Sequence, residues 1–196
     1  HLYCPTETAV KNLSNEGITK GVINSGDVMY DACLYFKENI STGFDFKEKG
    51  LKKKEYALCT IHRQENTDNP DNLDSIFSAL QTISKDLEVA LVMHPRTLKQ
   101  IKEYSRLNLL KGLKVLDPVS YFEFQSLEMN SKYILTDSGG IQKEAYFHSI
   151  PCLTLRDETE WIETIDSGWN QIVSSNTDDI LLAFDQIDSR RRTRID

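Results

Sequence analysis

The stretch that decides the fold is Leu135-Thr136-Asp137-Ser138-Gly139-Gly140-Ile141-Gln142-Lys143-Glu144-Ala145, in which an apolar strand runs through paired glycines into a helix. The first N–H groups of a helix have no partner within the helix, and the helix dipole places partial positive charge there. Such a turn suits a phosphate or a diphosphate, to which the Ser138 hydroxyl adds a donor. The alternative is a turn that needs glycine only for its backbone conformation. The flanking sequence favours the ligand.

Short apolar runs alternate with amphipathic stretches from Tyr56 onward, which is typical of βαβ units and a parallel sheet. The pattern predicts strands near residues 56–61, 89–93, 114–116, 133–136, 152–155 and 171–173. It predicts helices near residues 72–85, 98–107, 121–129, 141–147, 160–165 and 178–186. The predicted fold class is therefore α/β, a Rossmann-like parallel sheet with helices on both faces.

The first fifty residues follow a different pattern, with a helix starting at Pro5-Thr6-Glu7, a short strand at 22–24 and a second helix at 29–37. A polar, lysine-rich stretch at 39–54 follows, as a surface loop or a linker. We therefore expect three parts. They are connecting and hinge helices at 1–50, a Rossmann-like domain at 51–188, and a tail at 189–196 that is frayed or added to the natural sequence.

Composition excludes several classes of partner. The 196 residues carry a net charge of −7, whereas a protein that binds nucleic acid or a membrane surface normally presents excess positive charge. No apolar run has membrane-spanning length, and the cysteines show no metal-type spacing. We expect a cytoplasmic protein with reduced cysteines and without a metal site. Because the chain begins at His1 rather than Met, we also expect a longer parent protein.

Polar clusters follow three of the predicted strands. His62-Arg63-Gln64-Glu65-Asn66 follows the first strand, His94-Pro95-Arg96 the second and Asp137-Ser138-Gly139-Gly140 the fourth. Ligands of open parallel sheets bind outside the carboxyl ends of the strands, so we expect these clusters to share one edge.

The side chains at this edge have plausible roles and ordinary alternatives. His62 or Arg63 can neutralise charge on a leaving group, or can simply contact a neighbouring acid. Glu144 lies on the helix surface, or else accepts hydrogen bonds from sugar hydroxyls, because an acid there repels phosphate. One aromatic residue within 121–124 can stack on a base, although at least one belongs to the core. The sequence alone indicates an α/β domain that binds a phosphate-bearing ligand, most simply a nucleotide.

These clusters, in this order, resemble the non-hydrolysing UDP-N-acetylglucosamine 2-epimerases of bacteria and archaea over nearly the whole chain. The run from Leu135 to Ala145 is the most specific part of the resemblance. The other matching segments are Cys4-Pro5-Thr6-Glu7, Asn15-Glu16-Gly17-Ile18, Gly26-Asp27-Val28 with Asp31-Ala32, His62 to Asn66, His94-Pro95, Asp117-Pro118 with Tyr121, and Arg156-Asp157-Glu158-Thr159-Glu160.

The resemblance implies the carboxyl-terminal, UDP-binding half of a GT-B type two-domain enzyme that uses no cofactor. It implies a catalytic role for His62 at the diphosphate or the sugar. It assigns Arg63 and His94 to a second, regulatory UDP-sugar site. The UDP-binding residues that it implies are Ser138, Gly139 and Gly140 for the diphosphate, Glu144 for the ribose and Phe124 for the uracil region.

The activity implied is conversion of UDP-N-acetylglucosamine to UDP-N-acetylmannosamine by elimination and re-addition of UDP. The catalytic carboxylates of the family come from an amino-terminal Rossmann-like domain that is missing here. We therefore expect this chain to be inactive alone and its full-length parent to be a homodimer. Trp161-Ile162 and Ser167-Gly168-Trp169-Asn170 look more like the branch that acts on UDP-2,3-diacetamido-2,3-dideoxy-glucuronic acid. A GT-B glycosyltransferase donor domain and a non-catalytic UDP-sugar sensor are further candidate functions.

Overall fold

The computed structural model describes residues 1–39 and 45–193. The chain forms two compact units, His1–Ile40 and Ser41–Asp196. Within the described residues, no helix combines the length and the apolar character needed to cross a bilayer.

The first unit is a parallel pair of short strands with two helices. Its elements are β1 (Leu2–Cys4), α1 (Glu7–Asn15), β2 (Val22–Asn24) and α2 (Val28–Asn39). Thr6 caps α1, because its hydroxyl accepts a hydrogen bond from the Ala9 N–H at 3.3 Å. The sequence predicted α1, β2 and α2 but missed β1, since three residues at a chain start carry no repeating pattern.

The second unit is built on a sheet of six strands, all parallel to their neighbours, in the order β5-β4-β3-β6-β7-β8. The strands are β3 (Tyr56–Thr60), β4 (Glu88–Val92), β5 (Lys114–Leu116), β6 (Tyr133–Thr136), β7 (Cys152–Leu155) and β8 (Asn170–Val173). All six predicted strands are present. Parallel strands covered on both faces are continuously apolar, which is why they stand out in the sequence.

Helices connect these strands, and most of the connections were predicted. The helices are α3 (Gln64–Thr67), α4 (Pro70–Ile83), α5 (Pro95–Glu103), α6 (Tyr121–Asn130), α7 (Gly139–His148), α8 (Ile162–Asp166) and α9 (Thr177–Asp185). The four-residue α3 was not predicted, because its sequence reads as a polar loop. Short 3-10 helices occupy Leu107–Leu110 and Ile187–Ser189.

The two faces of the sheet pack against different helices. Successive residues of β3 point to opposite sides, so that Ala57 and Cys59 join one apolar cluster while Tyr56 and Leu58 join another. The first cluster includes residues of α4, α5 and α9, and the second includes residues of α6 and α7. Helices therefore cover both faces, as the sequence predicted.

Helices α4 and α5, like α7, begin earlier than predicted. Helix α4 begins at Pro70 rather than residue 72, and α5 begins at Pro95 rather than residue 98. Asn69 and His94 cap these helices with their side chains. Proline suits the first helical position because the N–H that it lacks would have no partner there. The prediction instead started each helix near the first apolar residue of the repeat.

The polar stretch before β3 is anchored to the second unit over its described part. Phe46 and Leu51 are buried in the second cluster. The Lys54 Nζ donates to the Met129 carbonyl at 2.7 Å, at the C-terminal end of α6, where positive charge is favourable.

Residues 40–44 of the predicted polar stretch and residues 194–196 of the predicted tail lie outside the described residues. The preceding part of the tail is hydrogen-bonded to the second unit, since the Thr193 N–H donates to the Ser167 carbonyl at 2.8 Å.

Leu135, on the central strand β6, is fully buried. We expect Leu135→Ala to lower the free energy of unfolding by about 2–5 kcal/mol, because it removes buried methyl groups and leaves a cavity. Urea denaturation followed by circular dichroism measures the change. The matched control is Leu182→Ala at a side chain that is 58% exposed, with an expected change below about 0.5 kcal/mol. Equal losses in both variants would contradict this placement of β6.

Candidate functional site

The strand order creates a switch point between β3 and β6. From β3 the chain runs outward through β4 and β5, and it then returns to β6 and runs the other way through β7 and β8. Ligands of open parallel sheets bind at the carboxyl edge of such a point. His62 lies just after β3 and Asp137 just after β6, so both polar clusters lie at this edge.

Asp137 joins the two strand ends. Its buried carboxylate accepts hydrogen bonds from the backbone N–H of His62 at 3.0 Å, the N–H of Arg63 at 2.9 Å and the Asn66 amide at 3.1 Å. Asn66 also donates to the Leu155 carbonyl at 2.9 Å, at the end of β7. None of these three donors belongs to the turn that contains Asp137. Its partners come instead from the loop after β3.

The first backbone N–H groups of α7 are hydrogen-bond donors at the same edge of the sheet. Ser138 is the cap residue, and its side chain makes no capping hydrogen bond. Gly139 and Gly140 are the first helical residues, and neither is among the glycines with positive φ. The turn therefore does not use these glycines for a left-handed backbone conformation. The first-turn N–H groups have no partner within the helix and remain available to a ligand.

Gly139 allows other side chains to approach the helix start closely. A Cβ added to Gly139 would lie 3.4 Å from Trp161 Nε1, 3.6 Å from Glu160 Oε2 and 3.9 Å from Arg63 Nη2. Lys143, in the first turns of α7, places its Nζ 4.1 Å from the centre of the Trp161 ring. The absence of a side chain at Gly139 thus leaves room for groups from two loops, the one after β3 and the one after β7.

Cations and one carboxylate surround the same helix start. Arg156 is buried and holds Glu160 in a two-point ion pair, with both N–O distances at 3.0 Å. The hydrogen bonds from Arg156 lower the pKa of Glu160, and the charge of Arg63 adds to this effect. Glu160 is therefore ionised and engaged with Arg156, so that part of its charge is neutralised where an anion would approach.

Two histidines meet at the ends of neighbouring strands. The ring centroids of His62 and His94 are 5.3 Å apart, and His62 Nε2 lies 3.9 Å from Asp137 Oδ1. His94 Nδ1 accepts a hydrogen bond from the Arg96 N–H at 3.2 Å. Burial lowers the pKa of His94, and the charges of His62 and Arg96 lower it further. The Arg96 guanidinium contacts the carboxylate of Asp68.

Glu144 lies one helical turn beyond Gly140 and is only 5% exposed. Its Oε1 accepts hydrogen bonds from the Tyr121 hydroxyl at 3.1 Å and from the Gln125 amide at 2.7 Å. Burial raises the pKa of Glu144, and these hydrogen bonds oppose the shift. The alternative of an exposed helix-surface acid is therefore wrong. Phe124 is half-buried and packs against the second apolar cluster.

The structure brings most of the predicted residues to one edge, and it adds two that sequence reasoning missed. The residues that follow β3, β4 and β6 at this edge are His62, Arg63, His94, Ser138, Gly139 and Gly140. Glu144 lies one turn into α7, and Phe124 lies on α6. Gln125 and Glu128, which were missed, are fully buried on α6. Their i,i+3 spacing on a helix that also buries Leu127 is the signal that could have revealed them.

The strand order, the helices on both faces and the open helix start at the switch point define a Rossmann-like α/β domain. A family profile described as UDP-N-acetylglucosamine 2-epimerase matches residues 1–195. The chain belongs to this family, and the resemblance inferred from its motifs is confirmed.

Three relatives illustrate the match. A UDP-N-acetylglucosamine 2-epimerase homolog of Methanococcus maripaludis is 48% identical over 92% of this chain and 51% of its own length. The UDP-2,3-diacetamido-2,3-dideoxy-D-glucuronate 2-epimerase of Pseudomonas aeruginosa is 42% identical over 92% and 50%. The crystal structure of Methanocaldococcus jannaschii UDP-GlcNAc 2-epimerase, in complex with UDP-GlcNAc and UDP, has a TM-score of 0.90 and 36% identity over 98% and 55%. The chain thus spans about half the length of the relatives it matches.

We expect Asp137→Ala to lower the free energy of unfolding by at least about 2 kcal/mol, because it leaves three donors without their acceptor. Urea denaturation measures the loss. Asp86→Ala, at an exposed aspartate, is the matched control, with an expected change below about 0.5 kcal/mol. If the two variants were equally stable, Asp137 would not be the connection between β3 and β6.

Proposed function

We propose that this chain is the UDP-binding domain of a sugar-nucleotide C2 epimerase. The observation that carries the proposal is the open first turn of α7 at the switch point, next to His62 and Arg63 and one turn before the buried acceptor Glu144. This arrangement offers donors to a diphosphate and an acceptor to a sugar hydroxyl.

The proposed placement of UDP follows the chemistry of these groups. The diphosphate lies against the Ser138 hydroxyl and the N–H groups of Gly139 and Gly140, where the helix end favours negative charge. Arg63 supplies positive charge at the same helix start. Glu144 accepts hydrogen bonds from the ribose, since four residues advance a helix by about 6 Å. Phe124 lies toward the uracil.

The proposed reaction inverts C2 of the sugar. A base removes the C2 proton while the C1–O bond breaks, so that UDP leaves with the bonding electrons and C1 and C2 become double-bonded. UDP then adds back through its oxygen at C1, and a proton is delivered to the other face of C2. His62 assists by stabilising negative charge on the departing diphosphate. Arg63 and His94 belong to a second UDP-sugar site, which we propose is regulatory.

The activity itself is proposed for a full-length parent of GT-B type. The family resemblance supplies the catalytic carboxylates from a second, amino-terminal domain, and the chain spans about half the length of its relatives. We therefore expect UDP binding without turnover from the 196-residue chain. The parent is proposed to be a cytoplasmic homodimer.

A second substrate is supported by a specific observation. The Pseudomonas relative, named as a UDP-2,3-diacetamido-2,3-dideoxy-D-glucuronate 2-epimerase, is 42% identical to this chain. Trp161, which lies beside Gly139, is one of the residues that resemble this branch. Such a diacetamido-uronic acid is therefore the alternative substrate.

UDP titration of the purified chain by calorimetry tests the binding proposal. We expect Ser138→Ala to weaken binding about 3–10-fold, as for one net hydrogen bond. Glu144→Ala should weaken it about tenfold or more, because it removes a charged acceptor. The matched controls are Ser78→Ala on α4 and Glu88→Ala at the opposite end of β4, which should leave the affinity unchanged. Unchanged affinity in both site variants would exclude this placement of UDP.

An assay of the full-length parent with both sugar nucleotides, run in deuterated water, tests the reaction. Elimination and re-addition should place solvent deuterium at C2, and the preferred sugar nucleotide identifies the substrate. We expect His62→Ala to lower the turnover by about 10²–10³-fold, as for the loss of one group that stabilises developing charge. Ser78→Ala serves as the control. Sugar transfer to an acceptor without exchange at C2 would favour the glycosyltransferase alternative.

A further inference from the structure

Two carboxyl groups lie buried together between α6 and α7. Glu128 is fully buried and Glu144 is 5% exposed. The Gln125 amide nitrogen donates to both, at 2.8 Å to Glu128 Oε2 and 2.7 Å to Glu144 Oε1. Only Glu144 has a place in the proposed function, so the burial of a second acid beside it needs its own explanation.

The surroundings of Glu128 hold no compensating cation within the described residues. From β3, Tyr56 donates its hydroxyl to the Leu127 carbonyl, and from β7 the Cys152 thiol lies buried nearby. Burial raises the pKa of both groups, to about 12 for Cys152, and an ionised Glu128 would raise it further. On α7, Lys143 acts on Glu144 and not on Glu128. Two negative charges buried side by side, with no cation next to Glu128, are strongly unfavourable. Glu128 and Glu144 therefore retain one proton between them.

The hydrogen-bond pattern indicates which oxygen carries that proton. Because Gln125 donates its amide nitrogen to the two acids, its Oε1 accepts, and His148 Nε2 lies 2.7 Å from it as the donor. Glu128 Oε1 is buried and receives no hydrogen bond. A proton on this oxygen changes it from an orphan acceptor into a donor. The Gln125 amide joins the two side chains, and burial together with the neighbouring Glu144 raises the pKa of Glu128. Burial also raises the pKa of Glu144, whereas a hydrogen bond with Glu128 opposes that rise.

We propose that Glu128 is a positioning residue that stays protonated and donates a hydrogen bond to Glu144. Together with Tyr121 and Gln125, it holds Glu144 ionised and oriented as the acceptor for the ribose diol. The inference rests on the proposed function, in which Glu144 binds the ribose. It adds a protonated carboxyl group, that of Glu128, next to the residue that binds the ribose.

This arrangement makes ribose binding sensitive to alkaline pH. Loss of the Glu128 proton places two negative charges side by side in the interior and removes one of the hydrogen bonds that orient Glu144. His148 contacts the network through Gln125, and Tyr121 donates to Glu144 directly. The affinity for a ribonucleotide therefore falls as Glu128 ionises, whereas a ligand without the 2′-hydroxyl gains less from Glu144 at any pH.

Calorimetric titration of the 196-residue chain with UDP and with 2′-deoxy-UDP, from pH 6 to pH 9, tests the inference with Glu128→Gln and Glu128→Met. Glu128→Gln keeps a donor toward Glu144 and an acceptor for Gln125. It should bind UDP within about 3-fold of the natural chain at pH 7 and lose the extra alkaline fall in affinity. Glu128→Met lacks the donor and should bind UDP about tenfold more weakly, as for a lost hydrogen bond to a charged group. Its affinity for 2′-deoxy-UDP should change much less.

The outcomes separate the two proposals. If the natural chain does not bind UDP, the proposed function fails, and with it the role of Glu144. If UDP binds and Glu128→Met binds it equally well, or if Glu128→Gln keeps the full alkaline fall, the positioning role of Glu128 is overturned. Should Glu128→Met fail to fold, the pH profile of Glu128→Gln decides.

The free energy of unfolding gives a readout without ligand. A carboxyl whose pKa is raised by folding stabilises the native state below its unfolded pKa and loses that contribution as the pH rises toward its folded pKa. The stability of the natural chain should therefore decline relative to Glu128→Gln as the pH rises above about 4.3, the ordinary value for glutamate. A constant difference between the two across this window would show that Glu128 is ionised in the folded chain and overturn the inference.

Discussion

The buried carboxylate of Asp137 is the constraint on which the candidate site depends. Two neighbouring parallel strands end side by side, and their following loops must turn away without leaving backbone N–H groups unpaired. Asp137 accepts the N–H groups of His62 and Arg63 and directly precedes the start of α7. One side chain therefore sets the spacing between the loop with the candidate cationic groups and the helix end with the candidate donors.

The rest of the architecture concentrates the polar groups that could bind a ligand at this edge of the sheet. Both faces of the sheet are covered by helices, so the strands are apolar and polar groups collect where the strands end. The chain carries a net charge of −7, yet the start of α7 is locally favourable to an anion. It combines helix-end N–H groups with Arg63, and Arg156 neutralises the nearby Glu160. Local arrangement, rather than overall charge, supplies the positive potential.

Much of the fold and of the candidate site could be predicted from the sequence. The features that could not be predicted lack a local sequence pattern. Buried strands, helix repeats and the motif from Leu135 to Ala145 are local patterns, so the sheet, most helices and the family were accessible. The roles of the edge residues stay predictions, although their shared edge follows from the strand order. The hydrogen bonds of Asp137 to the β3 loop, and those by which Gln125 connects Glu128 with Glu144, join residues on different secondary-structure elements. No local pattern encodes such pairs, and β1 was too short to show one.

The cap that His94 forms on α5 determines where this ring can carry hydrogen. Because Nδ1 uses its lone pair to accept the Arg96 N–H, the neutral ring must hold its hydrogen on Nε2. Protonating Nδ1 would break the cap and uncover the start of the helix. His94 is therefore locked in a single tautomer, a fixed neutral donor whose direction is set by helix geometry. The hydrogen bond that begins the helix therefore also decides which ring nitrogen of His94 carries the hydrogen.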